Sequence, residues 1–321
     1  MPWLRRSLVV LLLSVLVWQS LKVAFPQQES SLRSHFRASL EELFPQLAKQ
    51  AKSRFGLIRL HHAAPGKAEV ILVHGLDDPG KVWMNLAPVL AAKGYGVSAM
   101  EYPNDQPIRQ SAKLLRATLQ DLARQSFTQV SIVAHSMGGL VSREMLTNPS
   151  LACDSVDCQR VGVDKLIMVG TPNNGSQLAR FRALGEVREH VSRLISGNAH
   201  WLDWIYDGAG EAGVDLVPGS DFLNQLNART HSTEASMVVI AGVVAKEQIE
   251  HLNRMLSTAG GGGFDVVPVL GDMLVSLSSA KLDSVPLYRV SGNHLSIIRN
   301  ISKSSERIPP AIPLILRLLE E

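Results

Sequence analysis

Between residues 69 and 169 the chain switches repeatedly between short β-branched runs and longer amphipathic ones, and this rhythm limits the fold more than any other feature. Strands are predicted at 69–73, 96–101, 130–134 and 165–169, with helices at 82–93, 108–124 and 137–147 between them. Strands joined by helical crossovers lie parallel, and the helices cover both faces of the sheet. The run Val70-Ile71-Leu72-Val73 has no polar alternation, as a strand buried on both faces requires. The fold class is therefore α/β, with a mostly parallel sheet and helices on both faces. Ligands of such sheets sit at the carboxyl ends of the strands.

The 321 residues are 45% hydrophobic and 19% charged, enough to bury a sizeable core and too apolar for a disordered chain. Net charge is only +3, and no basic stripe interleaved with aromatics occurs, which argues against nucleic acid as a partner. Arg5 and Arg6 precede an apolar run over residues 7–18. Residues 1–26 are read as a signal peptide or an N-terminal membrane anchor. Extended to Phe25, the run is long enough to cross about 30 Å of hydrocarbon, and it lacks a small-residue cleavage site. The positive flank would stay inside, leaving the body facing the periplasm or exterior, or secreted if the segment is cleaved. Residues 27–60 read as a stalk or linker helix, with Leu40, Leu43, Leu47 and Ala51 on one face. The two cysteines, Cys153 and Cys158, share the loop 151–160. Outside the cytoplasm such a pair is expected to close a disulfide, and the absence of neighbouring histidines argues against a metal.

The strand at 130–134 runs into Ala134-His135-Ser136-Met137-Gly138-Gly139, where the apolar period changes from 2 to 3.6 across Ser136. A turn that short strains the backbone and lifts one side chain above the sheet, while glycines let the next helix pack close. This is the pattern of a nucleophile elbow, G-x-S-x-G, with alanine at its first position. A serine hydroxyl needs an imidazole to take its proton and a carboxylate to hold that imidazole. Of ten histidines, His294 is the best placed, in Ser291-Gly292-Asn293-His294-Leu295 just past a strand predicted at 287–290. The remaining histidines lie in helical, polar or stalk stretches, except His135, read as packing or orientation, and His74. In Val73-His74-Gly75-Leu76 a buried strand ends in a sharp turn, so the backbone N–H of Leu76, with that of Met137, is the expected oxyanion hole. His74 is grouped with the residues expected around the substrate. The acid should lie between nucleophile and histidine. Asp272 is the first choice, and Asp265, beside the glycine run 260–263, competes.

Strand signals vanish from 175 to 233 and return at 237–243. The gap reads as helical pieces forming a lid, about 176–233, over the active edge. Trp201 and Trp204 are apolar enough to need a partner surface, and are expected to contact substrate. A helix at 312–319 closes the chain.

Taken together, VHGL at Val73, AHSMGG at Ala134, GTPNNGS at Gly170 and GNHLS at Gly292 resemble the α/β-hydrolase superfamily, and within it the bacterial serine lipase and esterase branch. LVPGSDFLNQLN, residues 216–227, is similar to a segment frequent in such lipases, and the resemblance spans residues 69–299. It departs from the family pattern at Ala134 and at Met273, where many relatives have glycine after the acid. The resemblance implies an α/β-hydrolase domain over 61–321 and a Ser136-Asp272-His294 triad. It implies a lipase or carboxylesterase acting on acyl esters or lipid, with no metal or organic cofactor. The same triad would serve an acyl thioesterase or acyltransferase, and a non-catalytic membrane-anchored binding protein on a hydrolase scaffold is the remaining alternative.

Overall fold

The computed structural model describes residues 39, 42–43, 45–46, 55–76, 80–103, 106–125, 127–152, 161–176, 211–230, 235–244, 272, 274–300 and 305–321. The N-terminal 1–26 segment, Cys153, Cys158, Trp201, Trp204 and Asp265 lie outside the described residues, as does most of the expected lid. Among the described residues no helix is long and apolar enough to cross a membrane.

Among the described residues, seven strands form one sheet in the order β1-β3-β2-β4-β5-β6-β7. They are β1 (Gly56–His61), β2 (Glu69–Val73), β3 (Gly96–Glu101), β4 (Gln129–His135), β5 (Gly162–Val169), β6 (Ser236–Val243) and β7 (Leu287–Ser291). β2 to β7 pair in parallel; β1 is an antiparallel edge strand on β3. The described helices are α1 (Leu86–Ala92), α2 (Ile108–Arg124), α3 (Met137–Thr147), α4 (Glu211–Asp215), α5 (Asp221–Asn227), α6 (Leu277–Ala280) and α7 (Ala311–Glu320).

Successive strand residues point to opposite faces, and both faces are apolar. Ile71, Val73, Ile132, Ala134, Leu166 and Met168 pack with Ile108, Leu115 and Leu119 of α2 and with Leu140, Val141 and Met145 of α3. Val70, Leu72, Val133, Ile167 and Val169 pack on the other side with Leu86 and Leu90 of α1 and Ile312, Ile315 and Leu318 of α7. In α2 the buried positions Ile108, Ser111, Ala112, Leu115, Thr118, Leu119 and Leu122 follow the 3.6-residue period that the sequence displays. Its first turn is capped from a distance: Ile108 N–H donates to Asp215 Oδ2 at 2.9 Å.

Two elements differ from the sequence expectation. The sheet begins at Gly56, within the stretch read as stalk, so 27–60 is not helical throughout and the domain starts before residue 61. In β1 the residues Leu57, Ile58 and Leu60 give neither a clean alternation nor a helical stripe, which is why the strand was not evident. Arg59 on β1 holds Glu69 on β2 at 2.5 Å, and Ser98 on β3 donates to the same carboxylate at 2.7 Å. The helix expected at 82–93 is instead a short 3-10 turn, Lys81–Trp83, followed by α1.

Candidate active site

The carboxyl ends of β2, β4, β5, β6 and β7 open on one edge, where the described members of the expected site, His74, Leu76, Ser136, Met137, Asp272 and His294, are found. Ser136 stands between β4 and α3 with φ 53° and ψ −126°, a left-handed backbone that a serine adopts only under constraint. Its N–H donates to Val169 O at 2.9 Å and its carbonyl accepts from Gly139 N–H at 3.1 Å. From Val130 to Met145 every residue is buried except Ser136. A side chain at Gly138 would fall on the carbonyl oxygens of Val73 and His74, so α3 approaches β2 closely only because that residue is glycine. A Cβ at Gly75 would sit 2.7 Å from the Ser136 Cβ, which puts the turn after β2 directly against the serine.

That turn is fixed from below. Tyr102, just beyond β3, donates its hydroxyl to His74 O at 2.5 Å and stacks on the His74 ring, with centroids 4.3 Å apart and 13° between planes. The His74 Nδ1 donates to Gly75 O at 2.8 Å. His74 is only 1% exposed, so the ring expected around the substrate is enclosed against Tyr102. Leu76 follows in the same turn. Met137 opens α3, where helix geometry leaves its N–H without an intrahelical carbonyl.

Asp272 and His294 come together from two loops. His294 Nδ1 donates to Asp272 Oδ2 at 2.7 Å, and His294 N–H donates to Asp272 O at 2.9 Å. The other carboxylate oxygen, Oδ1, accepts from Leu274 N–H at 3.0 Å and Val275 N–H at 2.7 Å. With Nδ1 turned to the acid, Nε2 is the ring nitrogen free to accept a proton. Asn293 braces the loop: its Oδ1 accepts from the N–H groups of Leu295 and Ser296. Gly170, directly after β5, has φ +61°, and a Cβ there would lie 3.1 Å from His294 Nδ1 and 3.2 Å from Asp272 Oδ2. His135 is buried beside this pair, its Nε2 3.0 Å from His294 O.

A buried polar network behind the elbow explains two of the other motifs. Arg143 of α3, 1% exposed, donates to Asn173 Oδ1 at 3.0 Å and to Asn227 Oδ1 at 2.9 Å. Burial and the nearby Arg229 push its guanidinium down to about 10, while Glu144 opposes them, so it stays charged at neutral pH. Asn173, from GTPNNGS, also donates to Ala280 O at 2.8 Å. Glu144 accepts from Arg229 at 2.6 Å and from Asn148 at 2.7 Å. LVPGSDFLNQLN forms the turn into α5, where Ser220 caps the helix and Asn227 reaches the network. This fastens residues 211–230 to the nucleophile helix.

The sequence reading missed Tyr102, Gly170 and Arg143 as parts of this site. Tyr102 and Gly170 each stand immediately past a predicted strand at the active edge, and that position was the available signal. Arg143 carried none, because a buried arginine in an amphipathic helix looks like a solvated one.

The mature form of the lipase BlEst2 of Bacillus licheniformis superposes with a TM-score of 0.54 at 20% identity, covering 82% of this chain and 97% of that one. The Staphylococcus hyicus lipase gives 0.56 at 14% identity, covering 81% and 96%. The chain has the α/β-hydrolase fold. The phospholipase PlaB of Legionella pneumophila gives 0.53 at 16% identity over 80% of this chain, which spans 60% of its length. Residues 105–217 match a family described as a domain of unknown function, DUF7379. Comparison with curated proteins finds no match to the sequence.

Proposed function

We propose that this α/β-hydrolase is a serine ester hydrolase of lipase or carboxylesterase type. One observation carries the reading. A buried carboxylate holds the Nδ1 side of His294 at 2.7 Å, at the same sheet edge where a strained turn exposes Ser136 alone in an otherwise buried stretch. In this reading Ser136 Oγ attacks the acyl carbonyl while His294 Nε2 takes its proton, and Asp272 stabilises the imidazolium. The backbone N–H groups of Leu76 and Met137 would receive the oxyanion. His294 then gives the proton to the leaving alcohol, and a water activated by the same imidazole releases the acid and restores the serine. No metal or organic cofactor enters these steps.

The similar folds named above belong to proteins described as lipases and a phospholipase, which supports an acyl ester or lipid as the substrate class. We place residues 1–26 at a membrane or in a cleaved signal, with the body facing the periplasm or exterior. In that compartment Cys153 and Cys158 would be bridged, and Trp201 and Trp204 would line a lid over the acyl chain. Labelling by a fluorescent alkyl phosphonate, lost in Ser136→Ala, tests the nucleophile. A panel of p-nitrophenyl esters of rising chain length, run beside an acyl thioester, tests the leaving group. No labelling and no ester turnover would overturn the reading, and faster thioester turnover would move it to an acyl thioesterase.

A further inference from the structure

His135 is the last residue of β4, next to Ser136 in the chain, and is 2% exposed. Its side chain leads away from the serine and meets the other half of the site. Its Nε2 lies 3.0 Å from the backbone carbonyl oxygen of His294, and the two imidazole rings sit 4.8 Å apart with 48° between planes. A carbonyl oxygen only accepts, so Nε2 carries the proton and donates. Nδ1 is then an acceptor, and it has no partner among the described residues. An imidazole with a buried, unpaired nitrogen carries a desolvation cost that a phenylalanine or leucine in the same space would avoid. Packing alone does not account for histidine here. Its bond to the His294 carbonyl does.

That bond joins parts of the site that come from distant stretches of chain. The N–H and Nδ1 of His294 relate it to Asp272. The bond from His135 relates it to the strand that carries Ser136. We propose that His135 is a positioning residue: by donating to the His294 carbonyl from the position beside Ser136, it sets where the His294 ring stands relative to the serine hydroxyl. The inference rests on the serine hydrolase reading. Burial first, and then the neighbouring His294, hold His135 down to about 3, with Arg299 and His74 adding to the effect and the bond to His294 opposing it. The group therefore stays neutral while His294 charges and discharges against Asp272 in each turnover. A second cation 4.8 Å from that imidazolium would oppose it.

The full-length protein with His135→Gln, His135→Asn and His135→Phe tests this. A glutamine amide reaches about as far as Nε2 and donates to the same carbonyl; the asparagine amide is one methylene too short; phenylalanine keeps the volume without a donor. The readouts are kcat and KM on one p-nitrophenyl ester, the rate of phosphonate labelling, and the unfolding midpoint. His135→Asn and His135→Phe are expected to lower kcat and the labelling rate together, by about tenfold to a hundredfold, with KM within about twofold, because the reacting atoms are misplaced rather than the substrate. His135→Gln should recover most of both rates. Wild-type rates in the asparagine and phenylalanine variants would overturn the proposal. So would equal losses in all three variants that track the unfolding midpoint, since the residue would then only pack. Ser136→Ala in the same assay separates the two levels. If it keeps its activity, the hydrolase reading fails and the positioning role falls with it.

Discussion

The two halves of the candidate site are built in different ways. Ser136 is held by its own neighbourhood: a strand ending at His135, a helix starting at Met137, and a glycine at 138 that lets the helix close against β2. Asp272 and His294 lie in neither strand nor helix, and are held by hydrogen bonds across the chain and by space left at Gly170 and Gly242. A side chain at Gly242 would sit 2.8 Å from the Asp272 Cβ. Covalent geometry thus sets the nucleophile, whereas fit sets the acid and base. A substitution on the first half should remove a function cleanly; on the second half, small changes of volume should also matter.

The largest expected effect lies on the nucleophile side. Ser136→Ala should lower kcat on the order of 10⁶-fold, as loss of a triad nucleophile does, with an unchanged unfolding midpoint because the strained turn is retained. Steady-state kinetics on the purified variant beside calorimetry check both parts. Activity above a few per cent would remove the serine from the mechanism. A large fall in midpoint would mean that the hydroxyl also holds the elbow.

Asp272→Asn comes next, at about 10⁴-fold in kcat. The amide can accept from Leu274 and Val275 as before, but its NH₂ cannot accept the His294 Nδ1 proton, so the imidazole is left in the wrong tautomer. Asp265→Asn, assayed side by side, should cost far less. The reverse order would transfer the acid to Asp265 and leave Ser136 and His294 in place.

Gly170→Ala tests whether fit governs the acid–base half. The new methyl would press on His294 Nδ1 and Asp272 Oδ2 at 3.1 and 3.2 Å, and alanine would have to hold φ +61°. The backbone cost is about 1–2 kcal/mol of stability, and displacement of the pair by a few tenths of an ångström should lower kcat by about ten- to a hundredfold. Wild-type kcat with only a lower midpoint would show that the pair adapts, and that the contrast between the halves is overdrawn.

The same contrast explains what the sequence disclosed. The parallel sheet, α2 and the elbow were legible because each is a local pattern: short β-branched runs without polar alternation, a 3.6-residue period, and the switch from strand to helix at Ser136. The meeting of Asp272 with His294 was anticipated from chain order and motif, not from any local signal at Asp272, and Asp265 stayed open beside it. The edge strand β1 escaped because its apolar residues fit no single period. Tyr102 and Arg143 escaped because their roles exist only after β3 and α3 are in place: one supports the turn at His74, the other joins GTPNNGS to α5.

The smallest effect concerns the group that joins the two halves, read through pH. His135 falls from an ordinary value of 6.5 to about 3 on folding, burial being the main cause. Between these values the unfolded chain binds a proton that the folded protein refuses, so stability rises with pH across the window. The contribution is complete above about 6.5 and fades as pH falls toward 3. The groups that act on it, His294, Arg299 and His74, are present in both proteins compared, so a matched variant isolates it. From about pH 7.5 to about pH 5.5 the wild type should lose about 1 kcal/mol more unfolding free energy than His135→Phe. Urea unfolding of both proteins at the two pH values measures it. Parallel losses would mean that His135 takes up its proton in the folded state. It would then be a cation beside His294, and the charge argument for its neutrality would fail while its hydrogen bond to the His294 carbonyl remained.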